Sequence, residues 1–347
     1  MKKYLLTENG NYYKANLHCH STYSDGNWTP EEIKKNYLEQ GYSVVAFTDH
    51  DVFIPHPELA DDNFLPLNGF ELEVNEDVGG KPFKFVHTCH MCMIARDPET
   101  RIHPLWHRSK YLFGHATEHR DEVAFDETQP DFEREYTPEC ITAMMRKGRE
   151  EDFFVTYNHP RWSLETYTQY ANYHGMHAME IYNHGCFMAG FADYSDTVYD
   201  EMLRNGERIF CIATDDNHNP KREGRSFKDS FGGFVMIKAE KLEYRCITDA
   251  LFAGNFYSSR GPEIKALWYD SEDSCIHVKC SDAVKVICSS GRRGQRTCYA
   301  QDFGQEFINE AVLPVREDDI YVRISVYDKD MRTADTNAYF VEELMGK

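Results

Sequence analysis

The segment NLHCHSTYSDG, residues 16 to 26, carries two histidines one position apart, and Ser24-Asp25-Gly26 follow them. Side chains two positions apart on a strand share a face and lie roughly 6 to 7 Å apart. His18 and His20 could therefore converge on one ion, because neutral imidazole is a common metal ligand. Such a pair also arises by chance as a hydrogen-bonded surface pair. Other residues of the chain must therefore decide between a metal site and a surface pair.

Residues of metal-ligand type also stand where the other predicted strands end. In βα barrels, catalytic residues collect at the ends of strands, where the loops begin. Ligand types at so many successive strand ends indicate one shared metal site rather than chance. In chain order they are Asp49, His50, Glu71, His87, His159, Asp215, Asp216 and His218.

The elements that would position these side chains alternate regularly. From residue 14 to about residue 260, short β-type segments alternate with helical patterns, which predicts βα units around a parallel sheet in a barrel-like α/β domain. The first helix begins with Thr29 as N-cap, Pro30 and a capping-box Glu32, and stops at Gly41. Predicted strands cover 14–17, 43–48, 64–72, 83–89, 153–157, 178–182, 209–213 and 233–237, and further helices cover 137–147, 196–205 and 243–253.

Two regions depart from this alternation. Residues 96–136 are charged, contain four histidines and have weak periodicity, which predicts an inserted loop or lid over the site. After residue 264 the segments 276–280, 284–288 and 320–327 alternate as in antiparallel strands. We therefore expect a barrel domain at 1–264 and a small β-sandwich-like domain at 265–347.

Composition restricts the partners and the location. The formal net charge of −20 repels phosphate backbones and no basic stripe offsets it, which argues against duplex nucleic acid as a partner. No apolar run reaches the roughly 18 residues of a membrane helix, and no signal-peptide core follows the N-terminus, so we predict a cytoplasmic protein with no membrane partner. The eleven cysteines are scattered and odd in number, which favours reduced core residues over disulfides.

Taken in order, the motifs HxH, SDG, TDHD, GFE, NHP and DxH resemble those of the PHP family, the polymerase and histidinol phosphatase superfamily of metal-dependent phosphoesterases. The resemblance covers about residues 14 to 264. It implies a distorted seven-stranded βα barrel that holds two or three divalent ions. The implied ligands are His18, His20, Glu71 and Asp216 for one ion, Glu71, His87 and His159 for a second, and Asp25, His50 and His218 for a third.

Two of these implied ligands have competitors nearby in the sequence. His90 lies three residues after His87 and on the opposite face of a strand, and we favour His87. Glu73 shares a strand face with Glu71 and competes for the bridging position, but the Gly-Phe-Glu pattern selects Glu71.

Other polar residues are candidates for catalysis and substrate binding. Asp49 and Asp215 adjoin predicted ligands and could act as catalytic residues that orient the imidazoles, with ordinary strand-end capping as the equal alternative. Arg161, Arg225 and Arg260 lie near predicted strand ends, where a guanidinium group could bind phosphate oxygens in a bidentate way.

The ligand types predict the chemistry. Histidine with carboxylate suits zinc, manganese or iron. Two or three such ions can generate hydroxide at neutral pH and stabilise the attacking and leaving oxygens. We therefore predict hydrolysis of a phosphoester, a small phosphomonoester or nucleotide-type substrate, by a metal-bound hydroxide.

Two alternatives and the oligomeric state stay open. An amidohydrolase-type hydrolase also opens its barrel with HxH, although it would usually require a bridging lysine. A non-catalytic metal-binding barrel with a ligand-binding β domain is the second alternative, and the protein could be a homo-oligomer.

Overall fold

The computed structural model describes residues 1–77, 79 and 87–346. Its helices are α1 (Pro30–Glu39), α2 (Pro138–Glu150), α3 (Tyr167–Tyr170), α4 (His184–Met188), α5 (Asp196–Arg204), α6 (Tyr244–Phe252) and α7 (Val341–Met345). Short 3-10 helices cover Pro57–Leu59, Gly114–Glu122, Arg225–Phe227 and Ala300–Phe303. Its strands are β1 (Lys2–Tyr4), β2 (Asn11–Asn16), β3 (Val44–Phe47), β4 (Leu65–Asn75), β5 (Thr88–Ala95), β6 (Phe153–Tyr157), β7 (Ala178–Asn183), β8 (Phe210–Thr214), β9 (Phe234–Ala239), β10 (Phe256–Ser259), β11 (Ile264–Asp270), β12 (Cys275–Ala283), β13 (Lys285–Ser290), β14 (Arg296–Tyr299), β15 (Ile308–Pro314), β16 (Tyr321–Tyr327), β17 (Thr333–Thr336) and β18 (Tyr339–Phe340).

Most strands belong to one large mixed sheet. Its order is β14-β13-β16-β17-β10-β9-β2-β3-β4-β5-β6-β7-β8, and β18 pairs with β16. The pairs β2–β3, β3–β4, β6–β7 and β7–β8 are parallel, whereas β5 is antiparallel to both of its neighbours. The prediction of a parallel sheet is therefore wrong at β5 and also at β9, which is antiparallel to β2. Parallel neighbours require a crossover connection that is usually a helix, and no helix lies between β4 and β5 in the described part of the chain.

The closed seven-stranded barrel is not confirmed. Among the described residues β8 is the last strand of the sheet and does not pair with β2, so the sheet stays open. The segments that follow β2 and β8 nevertheless lie side by side. Cys19 forms a parallel bridge with Asn217, and the His20 N–H donates to the Asn217 carbonyl over 3.1 Å. This contact brings the loops after two distant strands of the sheet to one place.

A second sheet, with the order β1-β11-β12-β15, is antiparallel throughout. One of its faces packs against the large sheet, where Leu267 and Ile276 join Val286 and Ile324 in one apolar cluster. The antiparallel character predicted for the C-terminal region is present. The N-terminal strand β1 also joins this sheet, and β13, β14, β16 and β17 continue the large one, so the domain boundary at residue 264 stays a prediction.

Several elements lie where the sequence pattern places them. The α1 helix begins at Pro30 with the complete capping box of Thr29 and Glu32, and the strand predicted at 153–157 is β6. The strand predicted at 83–89 falls partly outside the described residues, and β5 begins only at Thr88. Residues 96–136 form an irregular segment with one 3-10 helix, anchored by Trp106, Ala116 and Val123 on Val52.

Among the described residues, none of the helices combines the length and the apolar character that a membrane crossing requires.

Replacing Thr29 with alanine removes the side chain that accepts the Glu32 N–H over 3.3 Å. We expect the free energy of unfolding to fall by about 1 kcal/mol, measured by urea denaturation. Thr197→Ala is the matched control, because Thr197 is exposed within α5, where no side chain caps the helix. Alanine there should leave the stability unchanged or raise it slightly. Equal losses in both variants would contradict the assigned cap.

Candidate metal centre

Two imidazoles follow β2 and converge, as their one-residue spacing predicts. His18 and His20 are fully buried, and their Nε2 atoms lie 3.1 Å apart. Asp216 holds the backbone here by donating its N–H to the His18 carbonyl over 3.0 Å. Asp216 and His159 both stand on left-handed backbone, with φ of 51° and 25°. Residues other than glycine rarely adopt this conformation, and such strain concentrates at functional sites.

Glu71 on β4 lies at the centre of the cluster. Its side chain is 1 % exposed, and its two oxygens face five imidazole nitrogens at distances between 3.2 and 3.4 Å. These nitrogens are His18 Nε2, His90 Nδ1 and His159 Nε2 around Oε1, and His20 Nε2 and His50 Nδ1 around Oε2. One carboxylate thus connects donors from several segments of the chain.

Asp216 supplies a second buried carboxylate. Its Oδ1 lies 3.3 Å from His18 Nε2 and 3.2 Å from His20 Nε2. Asn183 orients the group by donating its amide hydrogen to Oδ2 over 3.0 Å. The set His18, His20, Glu71 and Asp216, expected around one ion, is therefore together in the structure.

A third group lies on the other side of His20. Asp25 Oδ2 is 3.4 Å from His218 Nε2 and 3.8 Å from His50 Nε2, while Asp25 Oδ1 is 3.6 Å from His20 Nδ1. One donor atom from each of these four residues lies within 4.8 Å of the others. The structure therefore brings together the three residues expected around the third ion.

The spacing of these donors fits divalent cations. Tetrahedral ligands about 2.1 Å from a common ion lie about 3.4 Å from one another, close to the distances around Glu71. The Nδ1 atoms of His50 and His90 are buried and have no hydrogen-bond partner among the described residues. Leaving such a nitrogen unpaired costs about 1 to 3 kcal/mol, which coordination of a cation would offset.

The pKa values of the cluster are shifted in both directions. Burial by itself lowers the pKa values of His18, His20 and His159, but the neighbouring carboxylates raise them, that of His159 to about 9, so these imidazoles would release protons when a cation binds. Burial by itself raises the pKa of Glu71, but the neighbouring imidazoles of His18 and His90 hold that pKa well below its usual range. The pKa of Asp216 is low for the same reason, with His18 and His20 as neighbours. Burial and the adjacent His20 lower the pKa of His50 to about 3, so its imidazole is neutral, the form that binds metals.

His87 does not reach the cluster, and the preference for it over His90 is wrong. Its Nδ1 pairs with Glu76 over 2.7 Å and its ring stacks on Tyr136. Because β5 begins at Thr88, His87 precedes the strand, whereas His90 lies on the face that looks towards Glu71. Glu73 lies next to the cluster, with Oε2 3.6 Å from His90 Nε2, but Glu71 occupies its centre.

Asp49 and Asp215 accept hydrogen bonds from loop groups, and Asp49 connects to His20 through the Ser24 hydroxyl, whose oxygen lies 3.5 Å from His20 Nδ1. Their role as catalytic residues that orient the imidazoles stays a prediction. Asp49 accepts hydrogen bonds from the Ser21 N–H (2.8 Å) and the Ser24 hydroxyl (2.6 Å). Asp215 accepts from the Tyr37 hydroxyl (2.8 Å) and from the backbone N–H groups of residues 231 to 233. Burial raises the pKa of Asp215 to about 6. The contacts of Asp215 also fit the alternative of strand-end capping.

None of the three predicted phosphate-binding arginines lies at the cluster. Arg161 and Arg225 are exposed, and Arg260 lies over the rings of Tyr182 and Tyr194 while donating to the Met331 carbonyl. A position near a strand end does not determine the direction of a long side chain, so the role of these arginines in substrate binding stays a prediction. The described residues that line the cavity beside the cluster include no arginine or lysine.

Glu180 is a polar residue that the sequence analysis missed. It lies on β7, its Oε1 is 2.7 Å from His18 Nδ1, and it accepts from the Thr214 hydroxyl over 2.6 Å. Its Oε2 accepts the His159 N–H over 2.9 Å. A carboxylate on the second nitrogen of a metal-binding imidazole fixes the tautomer and the ring orientation. The available signal was a charged residue inside an otherwise apolar predicted strand.

The cluster opens into a cavity of about 400 Å³. Aromatic side chains from three segments line its mouth: Phe113, Trp162 and Phe227. Phe113 belongs to residues 96–136, and its ring centre lies 4.9 Å from that of His50. The inserted segment therefore contributes directly to the wall of the site.

One comparison with known proteins agrees with the motif pattern. A model of the PHP domain family matches residues 16–202. A search of curated proteins returns no match. The chain is similar to a two-domain protein from Bacteroides vulgatus ATCC 8482 containing a predicted PHP-like metal-dependent phosphoesterase, at 14% identity and a TM-score of 0.47, over 97% of this chain and 98% of that chain. It is also similar to an amidohydrolase from Chromobacterium violaceum with bound sulfate and no metal, at 16% identity and a TM-score of 0.39, over 60% of this chain and 88% of that chain.

Replacing Glu180 with glutamine should weaken divalent-ion binding by about 10- to 100-fold, because the His18 imidazole loses the acceptor that orients it. Competition with a fluorescent chelator measures this affinity. Glu207→Gln is the matched control, since Glu207 pairs with His174 over 2.6 Å outside the cluster. Unchanged affinity in Glu180→Gln, or equal losses in both variants, would contradict the role given to Glu180.

Proposed function

This chain belongs to the PHP domain family, and on that premise we propose that it is a metal-dependent phosphoesterase. The observation that carries the proposal is the enclosure of the Glu71 carboxylate by five imidazole nitrogens at 3.2 to 3.4 Å. We propose zinc, manganese or iron as the ions, two or three in number.

The ligand sets follow the three groups of donors, with His90 in place of His87. They are His18, His20, Glu71 and Asp216, then Glu71, His90 and His159, then Asp25, His50 and His218. Divalent ions held there would lower the pKa of a bound water and stabilise charge on a phosphoryl group.

The polar residues around the cluster would keep the donors in position. Glu180 orients His18, and Asn158 donates to Glu71 Oε1 over 2.8 Å. Asp49 and Asp215 fix the loops that carry the first histidines and Asp216. With these groups already oriented, little rearrangement is needed when a substrate binds, which is a main source of catalytic power.

The proposed ions also explain how so acidic a chain would admit an anionic substrate. The formal net charge is −20, and the described cavity lining contains no lysine or arginine to bind a phosphate. Bound cations are often the largest local charges in a site, and here they would supply the attraction by themselves.

The proposed architecture is a barrel of the seven strands β2 to β8 within residues 1–264, with a β domain at 265–347. The bridge between Cys19 and Asn217, next to the ends of β2 and β8, supports closure at the end of the barrel that carries the site. Catalytic groups of βα barrels collect at this end.

Metal-loaded protein should hydrolyse p-nitrophenyl phosphate, and removal of the ions by a chelator should abolish the activity until divalent ions are added back. Glu71→Gln should lower kcat at least about 100-fold, the order lost when one charge-stabilising group is removed from an active site. Glu58→Gln is the control, because Glu58 is exposed and its carboxylate pairs with His56 outside the metal cluster.

Two outcomes would contradict the proposal. Hydrolysis of amides or lactones in place of phosphoesters would identify an amidohydrolase-type enzyme. Retained ions without turnover of any of these substrates would identify a non-catalytic metal-binding barrel.

The aromatic mouth gives a prediction about the leaving group. Trp162 is 38% exposed and lines the cavity, so we expect it to contact an aromatic leaving group. Trp162→Ala should raise KM for p-nitrophenyl phosphate by about 2- to 12-fold, the equivalent of 0.5 to 1.5 kcal/mol for an aromatic pair. The KM for glycerol phosphate should stay unchanged. Phe303→Ala, at an exposed aromatic residue outside the cavity, is the control. Equal changes for both substrates would contradict this role.

A further inference from the structure

Cys92 is a sulfur donor at the inner wall of the Glu71 cluster. It stands on β5 directly opposite Glu71 on β4 in the antiparallel ladder, and residues opposed in this way direct their side chains to the same face. Cys92 is fully buried. The sulfur and the carboxylate therefore share one enclosed space.

The contacts of Cys92 connect it to the proposed ligands. Asn158 Nδ2 donates to Cys92 Sγ over 3.1 Å and to Glu71 Oε1 over 2.8 Å. One donor atom each from His18, Glu71 and Cys92 lies within 4.8 Å of the others. Because Glu180 engages His18 Nδ1, Nε2 is the His18 nitrogen that remains for a cation.

The neighbouring cysteine on the same strand has a different environment. Cys89 lies three residues earlier and packs with Met91 and Met93 in an apolar cluster. His90 and Cys92 alternate with these residues and face Glu71. The strand thus presents one of the two sulfurs to the candidate metal centre and the other to the core.

We propose that Cys92 is a ligand of the ion held by His18 and Glu71, an inference that rests on the proposed metal centre. When the ion binds, the sulfur–metal bond forms and the thiol proton leaves to solvent. Thiolate favours soft and borderline ions over hard ones. Cys92 therefore makes this position selective for Zn²⁺ over Mn²⁺ and Mg²⁺.

Cobalt substitution tests this ligand directly. Full-length protein is stripped with a chelator, loaded with Co²⁺ and freed of excess ion. Imidazole and carboxylate ligands give d–d bands in the visible spectrum, whereas a thiolate adds an intense charge-transfer band in the near ultraviolet. We expect both in the wild type, and in Cys92→Ala we expect loss of the charge-transfer band with retention of the d–d bands. Cys89→Ala is the matched control and should keep both.

The outcomes separate this proposal from the proposed function. Visible d–d bands without a charge-transfer band in the wild type would overturn Cys92 as a ligand and leave the metal centre intact. Absence of protein-bound Co²⁺ would overturn both. Cys186 is a second cysteine near the proposed ligands, with its Sγ 3.9 Å from Asp216 Oδ2. Loss of the charge-transfer band in Cys186→Ala but not in Cys92→Ala would also overturn the proposal.

Metal selectivity provides a second test that does not require an enzymatic assay. The ratio of Zn²⁺ to Mn²⁺ affinity should fall in Cys92→Ala by at least roughly tenfold. Mutation of a residue that only supports a metal ligand already lowers metal affinity by about 10- to 100-fold. An unchanged ratio in a folded Cys92→Ala variant would contradict the selectivity assigned to the sulfur.

Discussion

The buried carboxylate of Glu71 constrains the structure around it. An ionised carboxylate removed from water costs several kcal/mol unless a partner of opposite charge or good hydrogen-bond donors compensate it. Five imidazole nitrogens from four segments of the chain face its oxygens. Two of these imidazoles, His50 and His90, have a buried nitrogen without a hydrogen-bond partner in the described part of the chain. Divalent cations between these groups would satisfy the carboxylate and the imidazoles together.

Strand ends carry these donors, and hydrogen bonds from neighbouring polar groups hold the donors in position. The segments after β2 and β8 are joined by backbone hydrogen bonds, which brings His18, His20 and Asp216 together. Glu180 ties one of these imidazoles to β7. The positions of the donors therefore depend on these polar contacts, and the apolar core beneath them keeps the strands in register.

Much of the site could be predicted from the sequence because strand periodicity and strand ends are local properties. The one-residue spacing of His18 and His20 is an example. The choice between His87 and His90 depended on where β5 begins, which local pattern does not determine. The directions of the arginines and the antiparallel placement of β5 depend on tertiary packing. Cys89 and Cys92 have the CxxC spacing of many metal sites, yet only the strand pairing separates the sulfur that faces Glu71 from the one that faces the core.

The central claim is that donors scattered along the chain hold several divalent cations around Glu71. Anomalous X-ray diffraction from crystals of metal-replete protein, collected above and below the absorption edge of the bound metal, tests it most directly. The account predicts at least two anomalous peaks within coordination distance of ligand atoms, with Glu71 oxygens bound to both. An ordered site with no anomalous peak, in which the imidazoles bond directly to the Glu71 carboxylate, would contradict it.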